Sequence, residues 1–365
     1  MKKRQLGAIY KSPLPVEVVT LPPIVPHNPL SLAHYAYHMF VVPLIWNYKQ
    51  RHRYVAYLHQ YKDATSSYVS AIEVESDHDM TALWQNGFFG KGTQSRSEPT
   101  WGFRTARRLD VASEPGQVAP EDITAKRREI RRKFKSARAL AEGEAQFSHG
   151  RQDSSSAAFL HVPVPVPVIG EPEVPPVKRV EDTVLVDFEG KLKRLEKLQL
   201  TFQEAFFLSY GLGCLDVYDD NTGDLISVPE LLGLLMPDAR PDNSFIINYV
   251  VYHHYRSHGW CIRDGVKFGV DYLLYRRGPP FSHAEFGIIV IPVYQDESRN
   301  KAVSKDWWWS SGVNRIVGGV KKTMIFCYVE IPEFIEEFQT VDELLSKYRI
   351  REVSFRRWIP NRHRD

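Results

Sequence analysis

Cysteine is scarce here: Cys214, Cys261 and Cys327 are the only three in 365 residues, and no two stand at CxxC spacing. That argues against a disulfide framework or a thiolate zinc site and for a reducing compartment. Long apolar runs are missing as well. A stretch such as Phe286 to Val293 falls far short of the roughly 20 residues that span a bilayer, so no integral membrane segment is expected. The start, Met1-Lys2-Lys3-Arg4-Gln5-Leu6, has no apolar core of a secretory signal, and a soluble intracellular protein is expected. Neither sign of charge dominates: 47 Lys and Arg against 44 Asp and Glu leave +3. No internal repeat is visible.

What is present is uneven. Hydrophobic residues make up 43% and charged ones 25%, the balance of a globular protein. The positive charge gathers in two places. Ala125 to Arg138 carries eight Lys or Arg and one Glu, and the tail from Arg349 to Arg364 is rich in Arg. Such patches suit a polyanion, because each neutralised phosphate releases counterions. Solvated helix faces are an equally good reading of either run.

Three zones follow from composition. Residues 1–115 form an N-terminal mixed domain. In it Phe40-Val41-Val42 and Tyr54-Val55-Ala56-Tyr57-Leu58 suit strands or one short buried helix, Asp79 to Trp84 a capped helix ended by Gly87. Residues 116–182 are a basic helix and a linker. Asp122 or Thr124 can cap the helix, with Ile130, Phe134 and Ala137 at helical spacing, and the alternation His161 to Val168 of proline and valine forbids helix. Residues 183–365 form the third zone, a helical subdomain at about 190–240 and a sheet-bearing one at about 244–360. Lys191 to Gln199, Thr201 to Tyr210 and Val228 to Met236 are expected helices, and Ser244 is expected to cap another that runs to Gly259. The period then changes to two over Asp271 to Tyr275, Phe286 to Tyr294, Thr323 to Ile331 and Arg351 to Trp358, predicting a mostly antiparallel sheet. The fold class is α/β in the α+β sense.

The chemistry concentrates beyond residue 252. Tyr275 ends an expected strand and enters the turn Gly278-Pro279, and His283 stands before the next strand, so one connection can bring a phenol and an imidazole to one sheet edge. Lys322 opens a further strand after Gly318-Gly319. Tyr, His and Lys without a carboxylate cluster suit acid–base work on RNA, which carries its own 2′-OH nucleophile. One group takes the 2′-OH proton, one protonates the departing 5′-oxygen, and a cation stabilises the phosphorane. An imidazole is an apt acid near neutral pH. A phenol is a poor base unless cations lower its pKa, a task open to Arg276, Arg277 and Lys322. Taken alone, strand-end tyrosines are more often packing residues.

Resemblance adds to this. Tyr255-Arg256, Gly259-Trp260, Arg263 to Gly269, Asp271 to Tyr275, Gly278-Pro279 and Ser282 to Phe286 resemble the tRNA-intron endonuclease catalytic domain, the likeness running from about Leu198 to Trp358. The resemblance implies a catalytic triad of Tyr275, His283 and Lys322, with Lys322 preferred to its neighbour Lys321 because it directly precedes the strand carrying Phe326-Cys327-Tyr328. It also implies transesterification of pre-tRNA to a 2′,3′-cyclic phosphate and a 5′-hydroxyl with no metal or cofactor. The expected partners are a second catalytic and two structural subunits in a heterotetramer. The expected location is the nucleus, or alternatively the cytosolic face of the mitochondrial outer membrane as a peripheral protein. Arg315 and Trp358 match a pair that, in the family, clamps RNA in the partner's active site. Ala82-Leu83-Trp84, Gly87 to Gly92 and Ser95 to Trp101 resemble the larger catalytic subunit, assigned to the 5′ splice site.

The alternatives are the smaller catalytic subunit, cutting the 3′ site, and a non-catalytic RNA-binding subunit. A metal-dependent nuclease would need a PD…(D/E)xK set, which Asp271 and Glu285 do not supply. His253, His254 and His258 stand at helical spacing that suits a metal, but no carboxylate is placed in sequence to complete a site. Trp307-Trp308-Trp309, expected in a loop, suits base stacking, a partner contact or packing. Lys267 and Gly269 suit a turn, and Glu333, Glu336 and Glu337 a solvated helix face.

Overall fold

The computed structural model describes residues 7, 9–16, 21–42, 53–62, 68–109, 128–136, 138, 195–238, 240–333 and 340–356. The chain divides into two compact units: Met1–Pro99 together with Glu196–Asp365, and Thr100–Leu195.

In the first unit a helix, Pro29–Ala36, is capped by Asn28 and continued as a π turn over Tyr37–Val41, so Phe40 and Val41 are helical and exposed. Tyr54 to Leu58 is strand. It belongs to β1 (Tyr54–Lys62), which pairs antiparallel with β2 (Tyr68–Val74) and turns Tyr54, Ala56 and Leu58 inward. Helix α1 (Asp77–Gln85) follows, its first turn capped by the Ser76 hydroxyl. Strand β3 (Lys91–Gly92) ends the N-terminal contribution.

The chain re-enters the same sheet after residue 195. Lys191 to Gln199 is not the expected helix where it is described: β4 (Leu198–Leu200) pairs with β2 and β3, because Leu198 and Leu200 alternate inward opposite Val74 and Ile72. Thr201 starts α2 (Phe202–Phe206) through a capping box with Glu204, and the helix loosens into a π turn over Phe207–Gly211. β5 (Leu215–Asp219) runs parallel to β1, β6 (Leu225–Ile226) lies beside it, and the sheet order is β3-β4-β2-β1-β5-β6. The 190–240 segment is therefore part sheet as well as helical. Ser227 and Glu230 box the start of α3 (Val228–Leu235).

Helix α4 (Ser244–Ser257) is capped by Asn243, whose Oδ1 accepts from Phe245 N–H at 2.8 Å, rather than by Ser244. The amide one residue earlier reaches the first free N–H groups better than Ser244, which is already helical. Phe245, Ile246, Tyr249, Val250, Val251, Tyr252, Tyr255 and even Arg256 are buried, so α4 is enclosed on most sides.

The second sheet has the order β11-β10-β9-β8-β7 and consists of β7 (Cys261–Asp264), β8 (Tyr272–Tyr275), β9 (Phe286–Val293), β10 (Thr323–Glu330) and β11 (Arg349–Phe355). Between β9 and β10 come α5 (Glu297–Val303) and α6 (Trp307–Gly319); α7 (Val341–Ser346) precedes β11. β9 and β10 are parallel, the remaining pairs antiparallel. A helical crossover is what permits a parallel pair at the centre of this sheet. Ile262, Leu274, Ile288, Ile325 and Cys327 face the core shared with α4, while Leu273, Ile289, Met324 and Phe326 pack with Val313 and Val317 of α6. Burial on both faces explains near-continuous apolar strands such as Phe286–Val293.

In the second unit, Trp101–Leu109 is helical, and so are residues 128–136. There Ile130 and Phe134 are exposed, and Lys133 pairs with Glu129 at 3.4 Å. The expected caps Asp122 and Thr124 and the valine–proline run lie outside the described residues.

Candidate active site

Tyr275 is the last residue of β8, opposite Cys261 on β7. One step on, Glu285 N–H donates to Leu274 O at 2.9 Å, and Thr323 N–H donates to Glu285 O at 3.0 Å. These two bonds tie the end of β8 to the starts of β9 and β10. Tyr275, Glu285 and Lys322 therefore fall in one row across three adjacent strands, each about 4.8 Å from the next. His283 is two residues before Glu285, exposed, at the same end of the sheet.

The backbone separates the two lysines. At the end of α6, Lys322 N–H bonds Val317 O and Lys321 N–H bonds Gly318 O, both at 3.1 Å, with Lys321 at φ 58°. That is a Schellman ending, with Lys321 spent as the left-handed residue that glycine usually supplies. Lys321 is exposed. Lys322 is half-buried and leads into β10, its Nζ 5.0 Å from the centre of the Phe268 ring.

Tyr275 is half-buried, and its phenol is pushed above the ordinary range, first by burial; the guanidinium of Arg263 pulls the other way. The cation that bears on this phenol is thus Arg263. Of the three cations expected in that role, Arg276 and Arg277 are exposed, Arg277 covering the Phe281 ring at 4.4 Å, and Lys322 lies over the Phe268 ring. Alternation explains it: Cys261, Arg263, Leu273 and Tyr275 share one face of the β7–β8 pair. Arg263 is held by Phe88 O at 2.6 Å, by Glu204 at 3.5 Å and by the face of Trp84 at 5.0 Å.

Phe88, assigned no role from the sequence, lies beside these residues. Tyr10, Trp84, Phe88 and Cys261 form a small buried cluster against which Tyr275 and Phe281 pack. The one sign in the sequence was the glycine-flanked run Gly87 to Gly90. Arg256 is anchored nearby, donating to Gly87 O at 2.7 Å and Tyr252 Oη at 3.0 Å while lying 4.1 Å over Phe89.

Other expected residues are dispersed. Arg315 is exposed on α6, and Trp358 lies outside the described residues. The three tryptophans form the first turn of α6, not a loop, because Asp306 caps that turn through Trp309 N–H; Trp307 and Trp308 are 71% and 86% exposed. His253, His254 and His258 go to Tyr249, Glu352 and the His254 carbonyl respectively. Glu352 is a carboxylate beside His254 that only the fold supplies, yet among the described residues no three His, Cys, Asp or Glu side chains gather to hold a metal. Gly269 closes the expected turn at φ 71°. Of the acidic group, Glu336 and Glu337 lie outside the described residues. A cleft lined by His254, Tyr255, Trp260, Leu274 and Glu352 opens on the opposite face of the sheet from Tyr275.

Residues 245–335 match the model of the tRNA intron endonuclease catalytic C-terminal domain, a span containing Tyr275, His283, Arg315 and Lys322. Over 98% of its length the chain is 37% identical to the tRNA-splicing endonuclease subunit SEN2 of Saccharomyces cerevisiae, covering 97% of that protein. It is 32% identical to the probable subunit sen2 of Schizosaccharomyces pombe, over 98% of each. Against the subunit Sen2 of Gallus gallus it is 34% identical over 51% of its own length and 39% of the relative's. Likeness over 98% of the chain to a fungal subunit, with a catalytic-domain match whose span contains Tyr275, His283 and Lys322, means that this chain belongs to the tRNA-splicing endonuclease family and is one of its endoribonuclease subunits.

Proposed function

We propose that this chain supplies the active site that cuts pre-tRNA at the 5′ splice site, working beside a second catalytic subunit and two structural ones. The reading is carried by the row at the end of the second sheet: Tyr275, Lys322 and, two residues from its centre, His283. In the proposed step the Tyr275 phenolate takes the proton of the 2′-OH as the 2′-oxygen attacks phosphorus. The bond from phosphorus to the 5′-oxygen breaks, and His283 gives its proton to the leaving oxygen. Lys322 neutralises the charge on the non-bridging oxygens. The products are a 2′,3′-cyclic phosphate and a 5′-hydroxyl, and no step calls on a metal. Likeness of Gly87 to Gly92 and Ser95 to Trp101 to the larger catalytic subunit supports the 5′ assignment.

The test uses the assembled complex and one pre-tRNA, with the two cuts timed separately under single turnover. His283→Ala slows the 5′ cut by about 10²–10⁴ and spares the 3′ cut. Lys322→Ala does the same, Lys321→Ala does not, and excess chelator leaves both cuts running. A His283→Ala complex that loses the 3′ cut instead would move the chain to the other splice site.

A further inference from the structure

The N-terminal segment that follows α1 reaches the turn on which the proposed chemistry depends. Helix α1 ends at Gln85, and the next residues take unusual backbone: Gly87 has φ 123°, Phe88 φ 60° and Gly90 φ 70°. A phenylalanine held in the left-handed region is strained, and such strain persists only where the surroundings impose it. Here they do. Phe88 N–H bonds Trp84 O at 3.0 Å and Phe89 N–H bonds Leu83 O at 3.2 Å, while the Phe88 ring is 3% exposed.

The ring is aimed at Gly278. A Cβ placed on that glycine would fall 2.5 Å from Phe88 Cδ2 and 2.7 Å from Cζ, overlapping the edge of the ring at Cε2. Gly278 has φ 116°, and its carbonyl accepts from Phe281 N–H at 3.2 Å, so it is the pivot of the turn between Tyr275 and His283. Tyr10 closes the other side, its ring centre 5.2 Å from Phe88 and 5.9 Å from Phe281. The carbonyl of Phe88 meanwhile holds Arg263, the cation facing Tyr275.

We infer that Phe88 is a positioning residue for RNA cleavage, an internal brace that sets the Tyr275–His283 turn from below. Its part is placement, not proton transfer. Its ring fixes the height of Gly278, and its carbonyl fixes Arg263. The inference rests on the proposed roles of Tyr275 and His283.

The experiment makes Phe88→Ala, Phe88→Leu and Gly278→Ala in the whole assembled complex, each alone and with His283→Ala. Phe88→Ala slows the saturated chemical step by about 10–100-fold, KM changing by less than about threefold, because a misplaced group costs rate before it costs binding. Phe88→Leu recovers part of that loss. Gly278→Ala, which displaces the same turn from the other side and leaves the N-terminal segment intact, reproduces it. In the His283→Ala background the added loss from Phe88→Ala is clearly smaller than in the parent, since only the part carried through Arg263 and Tyr275 remains. The brace is overturned if Phe88→Ala and Gly278→Ala both cleave at the normal rate while His283→Ala is slow. It is equally overturned if the losses multiply in the double variant, or if only KM moves. A His283→Ala complex that still cuts both sites overturns the triad, and the brace with it.

Discussion

At Tyr275 two influences compete. Burial favours the neutral phenol and Arg263 the phenolate, with burial the larger. If the phenol is the base and an imidazole the acid, the active species is the minority form with both correctly set, and the rate falls above the phenol's pKa. Arg263 lowers that pKa, so Arg263→Gln raises it. The alkaline limb of the single-turnover profile moves to higher pH and the plateau below it drops, because less phenolate is present at any neutral pH. The plateau height between pH 7 and 9 decides it; a plateau in Arg263→Gln that stays level or rises contradicts the arrangement. The residue types at this site were plain in the sequence. The cation was not, since Arg276 and Arg277 are nearer in the chain and only strand alternation shows that Arg263 shares the phenol's face.

Element ends were the next most legible level. The helices expected from Thr201 and from Val228 begin there, closed in the structure by the capping boxes Thr201/Glu204 and Ser227/Glu230, and the turn of Lys267 and Gly269 is where the spacing puts it. Misreadings came where one residue type serves two structures. Leu198-Gln199-Leu200 scores as helix by propensity but buries alternate residues against β2. The helix end at Lys321 yields a prediction of its own. A lysine in the left-handed region gives up about 1 kcal/mol that glycine would not, so Lys321→Gly is expected to stabilise the chain by about that amount. The melting temperature of the variant should rise by about 1–2 °C. Phe88→Gly relieves the same backbone strain but removes a buried ring, and should melt lower than the parent.

For the molecule as a whole, the core is unusually phenolic. Tyr249, Tyr252 and Tyr272 are held above the ordinary range by burial first of all. Their folded pKa values exceed the unfolded value of about 10, so their contribution is complete below pH 10 and is lost as pH rises through it. Each removes about 1.4 kcal/mol of stability per pH unit above that point. Denaturant midpoints for the isolated chain should therefore be level from pH 7 to 9 and fall steeply by pH 11; a midpoint that holds to pH 11 would refute it. The second sheet was largely visible as period-two segments. The first was not, because its order interleaves strands from both ends of the chain, and pairing between β1 and β5 leaves no local mark.

That interleaving has a consequence during synthesis. β1 sits between β2 and β5, yet β5 leaves the ribosome about 160 residues after it, a delay of about 10–30 s at ordinary elongation rates. Through that interval the β1–β2 hairpin has an unpaired edge and an uncovered apolar face, the condition that draws nascent-chain chaperones or aggregation. The Phe88 segment likewise waits for Gly278, which arrives later still. Slowing translation after residue 99 should lower the soluble yield of the chain, and slowing it after residue 219, once β5 is complete, should matter far less.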